Sequence, residues 1–197
     1  MGRDLRFLVE DYAAEPATYG STPLRGYAAV FNSFSVDMGD WREVIRPGAF
    51  AWTLSRKPDV RVTVDHAGGF TMLGRTTNGT LKLSEDAHGL RVEITPANTT
   101  VGRDIAELVR RGDLTQMSFA FFTRRDNWLK TENGLVRELI EADLDGGDVA
   151  VVTYPAYPAT SIGVRTAPDY GVMRRRLQLM EMESELWPQQ WQSGKSD

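Results

Sequence analysis

The chain has 197 residues, 41% hydrophobic and 25% charged, with a formal net charge of -4, no cysteine and two histidines. That length suits one well-buried core plus tails; the missing cysteine excludes disulfides, thiol nucleophiles, zinc fingers and iron-sulfur ligation, and two histidines disfavour a multi-histidine metal centre. The mild acidity leaves no basic footprint for nucleic acid, and no apolar run suits a membrane span or signal peptide, so a soluble protein of a reducing cytosol is expected.

In chain order, apolar runs at short spacing predict strands over residues 5–9, 24–31 and 60–64. Between the second and third, Pro47 opens a short helical piece with Phe50 and Leu54 four apart and Trp52 between them. Strands over 81–83 and 90–94 flank Ser84-Glu85-Asp86-Ala87-His88-Gly89, a polar hairpin connection that places His88 at an exposed tip with no chemical role. Residues 100–111 read as a helix capped by Thr99 or Thr100, apolar along Ile105, Leu108 and Val109, and stopped by Gly112. Further strands are predicted over 114–122, 136–140 and 149–154. The fold class is therefore α+β: a curved, barrel-like, mainly antiparallel sheet with a few packed helices.

After residue 158 the composition shifts. The stretch 173–186 is rich in Arg, Glu, Gln and Met, with Met173, Leu177, Met180 and Leu186 spaced for an amphipathic helix, and Trp187, Pro188 and Trp191 lead into a polar end. The reading is one domain over residues 1–166 and a C-terminal tail over 167–197, helical or disordered.

The chain lacks His-Glu-x-x-His, the phosphate-binding lysine loop, the dinucleotide glycine fingerprint and the Gly-x-Ser-x-Gly elbow. A serine nucleophile with a histidine base survives this subtraction, since it needs one of each and an orienting group. His66 ends Val60-Arg61-Val62-Thr63-Val64-Asp65-His66, and period 2 sets it on the side of Val60, Val62 and Val64 if the strand runs that far. Ser118 lies in Met117-Ser118-Phe119-Ala120-Phe121, sharing a strand face with Gln116, Ala120 and Phe122 and opposite Met117, Phe119 and Phe121. By pattern alone both read as structural residues, a lone strand-end histidine and a hydrogen-bonded barrel serine. Asp148 opens the apolar run from Val149 and needs a cationic or hydrogen-bonding partner; Glu141, Asp143 and Asp145 compete for the same role.

Five blocks in order, Glu43-Val44-Ile45-Arg46-Pro47-Gly48-Ala49-Phe50, Val64-Asp65-His66, Gly74-Arg75-Thr76, Met117-Ser118-Phe119-Ala120-Phe121 and Asp148-Val149-Ala150-Val151-Val152-Thr153-Tyr154-Pro155-Ala156, resemble the tailed-bacteriophage prohead protease family over roughly residues 5–165. These head maturation proteases are related to the herpesvirus assembly proteases, the assemblins, so the resemblance implies an assemblin-like fold. It implies a serine endopeptidase enclosed in the immature capsid, in the host cytoplasm. There it cleaves the scaffold segment of the major capsid protein and processes itself, with the portal protein a further partner. It maps the base to His66, the nucleophile to Ser118 and the acid to Asp148. Two departures stand out: Asp148 occupies a position where glutamate is common, and Asp145-Gly146-Gly147 lengthens the approach to it. Residues 154–158 are the expected oxyanion loop, and dimer activation in the herpesvirus relatives raises the question of a homodimer. No cofactor, membrane or specific nucleic acid is implied. The rival reading is an inactive capsid-assembly or scaffolding protein on the same fold, binding through its tail.

Overall fold

The computed structural model describes residues 22–164 except Asp40 and Asn133, so the strand predicted at 5–9 and the tail at 167–197 lie outside the described residues. The described residues form nine strands: β1 (Leu24–Val30), β2 (Trp41–Ile45), β3 (Arg61–Val64), β4 (Gly74–Arg75), β5 (Leu81–Glu85), β6 (Gly89–Ile94), β7 (Gln116–Thr131), β8 (Gly134–Val152) and β9 (Ser161–Val164). They also form two α-helices, α1 (Ala51–Ser55) and α2 (Thr100–Arg111), which makes the fold α+β.

The strands make two curved sheets, one ordered β5-β6-β1-β9 and one ordered β2-β8-β3-β4 with β7 also paired to β8. Contrary to the barrel-like expectation, the curved sheets do not close: among the described residues no continuous ladder joins them and their outer strands pair on one side only. Most pairs are antiparallel, as expected, but β2 and β3 both run parallel to β8. At 19 residues β8 holds two strands end to end along one edge, β2 beside Leu135 to Leu139 and β3 beside Asp148 to Val151, while β7 runs along the other.

One hydrophobic core joins the two sheets and both helices. Phe119 stands near its centre, edge-on to Phe50 at 5.5 Å between ring centroids and stacked on Phe121 at 5.0 Å and Tyr157 at 5.8 Å. Helix α2 forms where the sequence places it. The Thr99 hydroxyl accepts the Gly102 N–H at 3.1 Å, Ile105, Ala106 and Val109 are buried, and Gly112 ends the helix at φ 85, in the left-handed region that glycine tolerates.

The structure departs from the sequence reading in several places. The polar segments 123–135 and 141–148 lie outside the predicted strands, yet they extend β7 and β8 into one long hairpin. Cross-strand pairs replace an apolar face there: Arg124 with Glu141 at 2.7 Å, Arg137 with Asp126 at 2.7 Å, and Asn127 with Glu138 at 3.0 Å. Strands β4 and β9 also lie outside the predicted strands, and so does β2. Its Glu43 is buried, which the chain supports by an ion pair to Arg137 at 2.9 Å and a hydrogen bond from the Tyr157 hydroxyl. Burial and the negative charge of Glu43 push the Tyr157 phenol well above its ordinary pKa. Finally, His88 is not a free tip residue: its ring packs edge-on against Tyr27 at 4.5 Å, while Asp86 accepts the N–H groups of His88 and Gly89 and closes the turn.

Candidate active site

Strand β3 lies between β8 and β4, and its alternation decides which side chains face the core. Val62 is fully buried among the core residues, so Thr63 points to the opposite face. In register, Thr63 lies beside Ala150 of β8, and Ala150 lies beside Ser118 of β7. One rung away, Asp148 sits between Arg61 of β3 and Ala120 of β7. Thr63, Asp148 and Ser118 therefore share one sheet face, while Met117 and Phe119 face the core on the other, as the alternation in the sequence predicts.

The strand ends at Val64, so period 2 does not carry through to His66. Instead Val64-Asp65-His66-Ala67 forms a tight turn closed by the Ala67 N–H on the Val64 carbonyl at 2.9 Å, with φ 49 at Asp65 and 57 at His66. Two successive positive φ values are costly for most residues, and Asp and His are among the few non-glycine types enriched there. The turn reverses the chain and brings the imidazole to the Thr63 face rather than the Val62 face. Asp65 holds the turn in place by accepting the N–H and hydroxyl of Thr153, just past the end of β8.

His66 Nδ1 lies 2.9 Å from Asp148 Oδ1, and the second carboxylate oxygen accepts the Thr63 hydroxyl at 2.7 Å. The carboxylate side chain is 17% exposed and the imidazole 36%. Burial by itself would raise the Asp148 pKa, but the hydrogen bonds from His66 and Thr63 and the imidazolium charge together hold it below the usual carboxylate value. The His66 pKa is raised, first by its hydrogen bond to Asp148, against the opposing effect of burial, and then by the charges of Asp148 and Asp65. An ionised carboxylate only accepts, so Nδ1 carries the proton and neutral His66 presents Nε2 as a lone pair. Nε2 has no partner among the described residues.

Ser118 is 8% exposed and its hydroxyl takes no hydrogen bond among the described residues. No described side-chain oxygen is both sealed from solvent and unpartnered, so this hydroxyl keeps contact with solvent. The three acidic neighbours of Asp148 are engaged elsewhere. Glu141 pairs with Arg124, Asp143 accepts from Thr53 at 3.2 Å, and Asp145 accepts the Asp59 N–H at 2.8 Å.

Asp145-Gly146-Gly147 lies in a bulge of β8: the register steps from Ala120 opposite Asp148 to Phe122 opposite Asp143. Gly147 is required there, because a Cβ would lie 2.2 Å from the Ala120 carbonyl oxygen. Past the bulge, the Asp148 carboxylate reaches Nδ1 directly. Thr63, Asp65 and Thr153 escaped the sequence reading. Strand alternation placed Thr63 opposite the valines, but its contact with Asp148 arises from pairing across 85 positions.

Among the described residues, no group of three or more His, Asp or Glu side chains is placed to hold a metal ion, and no helix is long and apolar enough to cross a membrane. A surface groove beside α2, lined in part by Thr22, Ala97, Arg103 and Arg110, shares no residue with the site.

No curated protein matches the chain significantly. The family model described as caudovirus prohead serine protease matches residues 10–174, more than four fifths of the chain and all of the described region. The chain belongs to the caudovirus prohead serine protease family.

Proposed function

We propose that Ser118, His66 and Asp148 are the nucleophile, base and orienting acid of this enzyme. Membership of the family already makes the chain a serine peptidase of phage capsid maturation, acting on capsid and scaffold proteins inside the assembling prohead. The observation that carries the residue assignment is the His66–Asp148 pair on the Ser118 face of the sheet, with Nε2 of His66 left available.

In the proposed reaction Ser118 Oγ attacks the peptide carbonyl carbon while its proton passes to His66 Nε2. The tetrahedral intermediate collapses as His66 returns that proton to the leaving amine, and an ester on Ser118 remains. Water, deprotonated by His66, attacks the ester, and His66 passes that proton to the departing Ser118 Oγ as the new carboxyl terminus is released. Asp148 holds the tautomer and stabilises the transient imidazolium. Residues 154–158 are the proposed source of oxyanion donors. Their support is position: Thr153 is bonded to Asp65 beside His66, and the Thr160 hydroxyl bonds to the main chain of Met117 beside Ser118.

The substrates in this proposal are the major capsid protein with its scaffold segment, the chain itself, and the portal protein. A fold related to the herpesvirus assembly proteases belongs to the same proposal. Co-expression of the chain with its capsid precursor tests it: Ser118→Ala and His66→Ala fold and leave the precursor uncut. Full processing by folded Ser118→Ala protein would show that the nucleophile lies elsewhere. An unprocessed precursor with the unaltered chain would favour a scaffolding role.

A further inference from the structure

Asp148 has two carboxylate oxygens and each has its own partner: Oδ1 meets His66 Nδ1 at 2.9 Å and Oδ2 meets the Thr63 hydroxyl at 2.7 Å. With a single oxygen held, the carboxylate can still pivot about it, because the second torsion of an aspartate is broad. Two partners on two different elements, one on β3 and one on the turn after it, fix both torsions at once. Thr63 is 4% exposed and is flanked by Val62 and Val64, in a strand where valine would suit the backbone and the packing equally well. What threonine adds over its valine isostere is the hydroxyl, and that hydroxyl is spent on Asp148.

We propose that Thr63 is a positioning residue for the reaction, holding Asp148 in the rotamer that bonds His66. This inference rests on the Ser118, His66 and Asp148 reading above. The surrounding charges leave the task to Thr63. Arg61, opposite Asp148 in register, is drawn to Asp59 at 3.3 Å; Arg75 of β4 is likewise held by Asp59; the β7 neighbour is the uncharged Ala120. Asp145 in the bulge is bound to the Asp59 N–H, and Asp65 in the turn to Thr153.

The test is the rate at which a fluorophosphonate phosphonylates Ser118 in the full chain, measured against concentration and pH. In that reaction Ser118 Oγ forms a bond to phosphorus, fluoride leaves, and the serine proton passes to His66. Thr63→Val is expected to lower the maximal labelling rate on the order of ten- to hundred-fold, with the half-saturating concentration unchanged, because a buried hydroxyl does not touch the reagent. The acidic limb of its pH profile moves down toward the ordinary imidazole value, as a weakened Asp148 contact demands. Thr63→Ser restores both. An unmoved limb, or one that moves up, overturns the proposal, as does a serine variant that fails to restore the rate. Ser118→Ala separates the two readings: if it is unlabelled while Thr63→Val labels normally, the positioning role alone fails. If Ser118→Ala labels like the unaltered chain, the nucleophile assignment fails.

Discussion

Asp65 accepts two hydrogen bonds from Thr153, from its N–H at 2.8 Å and its hydroxyl at 3.0 Å, and so ties the turn bearing His66 to the end of β8. The bond matters because Asp65 and His66 both hold positive φ, a conformation the rest of the structure must sustain. Asp65→Ala loses the acceptor and keeps the strained backbone. The expected result is a loss of about 2 kcal/mol of stability with slower labelling of Ser118, read by thermal melting and by the fluorophosphonate assay. Asp65→Asn retains an acceptor oxygen and tolerates the left-handed region, and should keep most of both.

The pH dependence follows from the directions of two shifts. His66 must be neutral to act as base, and its pKa is raised by Asp148, so activity falls on acidification at a pH above the ordinary imidazole value of about 6.5. For stability, the raised histidine contributes below its unfolded pKa of about 6.5, and the contribution is lost as pH rises through the folded value. The lowered Asp148 contributes above its unfolded value of about 3.9, and is lost as pH falls through the folded one. Both act together between those two unfolded values. Melting temperatures of the unaltered chain and of Asp148→Asn should therefore differ more at about pH 5 than at about pH 8. An equal difference at both pH values would show that the pair carries no linked proton.

Asp148→Asn removes the charge and turns one of two accepting oxygens into an N–H donor, so the Nδ1–H tautomer is no longer selected, and the labelling rate should fall on the order of 10⁴-fold, as in serine proteases of the chymotrypsin type. Glu141→Gln, Asp143→Asn and Asp145→Asn should stay within about tenfold, since their carboxylates serve Arg124, Thr53 and the Asp59 N–H. A large loss at one of these three with a mild one at Asp148 would move the orienting role along β8.

Gly147→Ala tests the bulge. Its methyl group would enter the Ala120 carbonyl at 2.2 Å, so β7 and β8 must part at the rung that carries Asp148. A loss of at least about 2 kcal/mol in denaturant unfolding is expected, with Ser118 labelling reduced in the protein that remains folded.

Much of this was legible in the chain. The strand face of Ser118, the capped α2 helix, the β5–β6 hairpin and the short helix after Pro47 each follow from neighbours within a few residues. The long β7–β8 hairpin did not, because its outer half is held by Arg124–Glu141 and Arg137–Asp126, pairs that look like solvated charges until the strands are set side by side. The burial of Glu43 is illegible for the same reason, since it depends on Arg137, 94 positions away. His66 fell on the side opposite to that expected of a continued strand because the turn at Asp65 breaks the period of two.

By itself, the sequence determined the inventory: no thiol, two imidazoles, one serine on a small-residue strand face and a family likeness carried by five ordered blocks. Local chemistry decides such things, since alternation, capping and turn propensity act over a few residues. The residues by themselves left several acids open, and only the family likeness pointed to Asp148; that its carboxylate meets His66, with Thr63 behind it, is a matter of tertiary structure. Those contacts exist because β3 pairs parallel to β8 in one register, and a shift of one residue would turn Asp148 into the core and leave the imidazole without its partner.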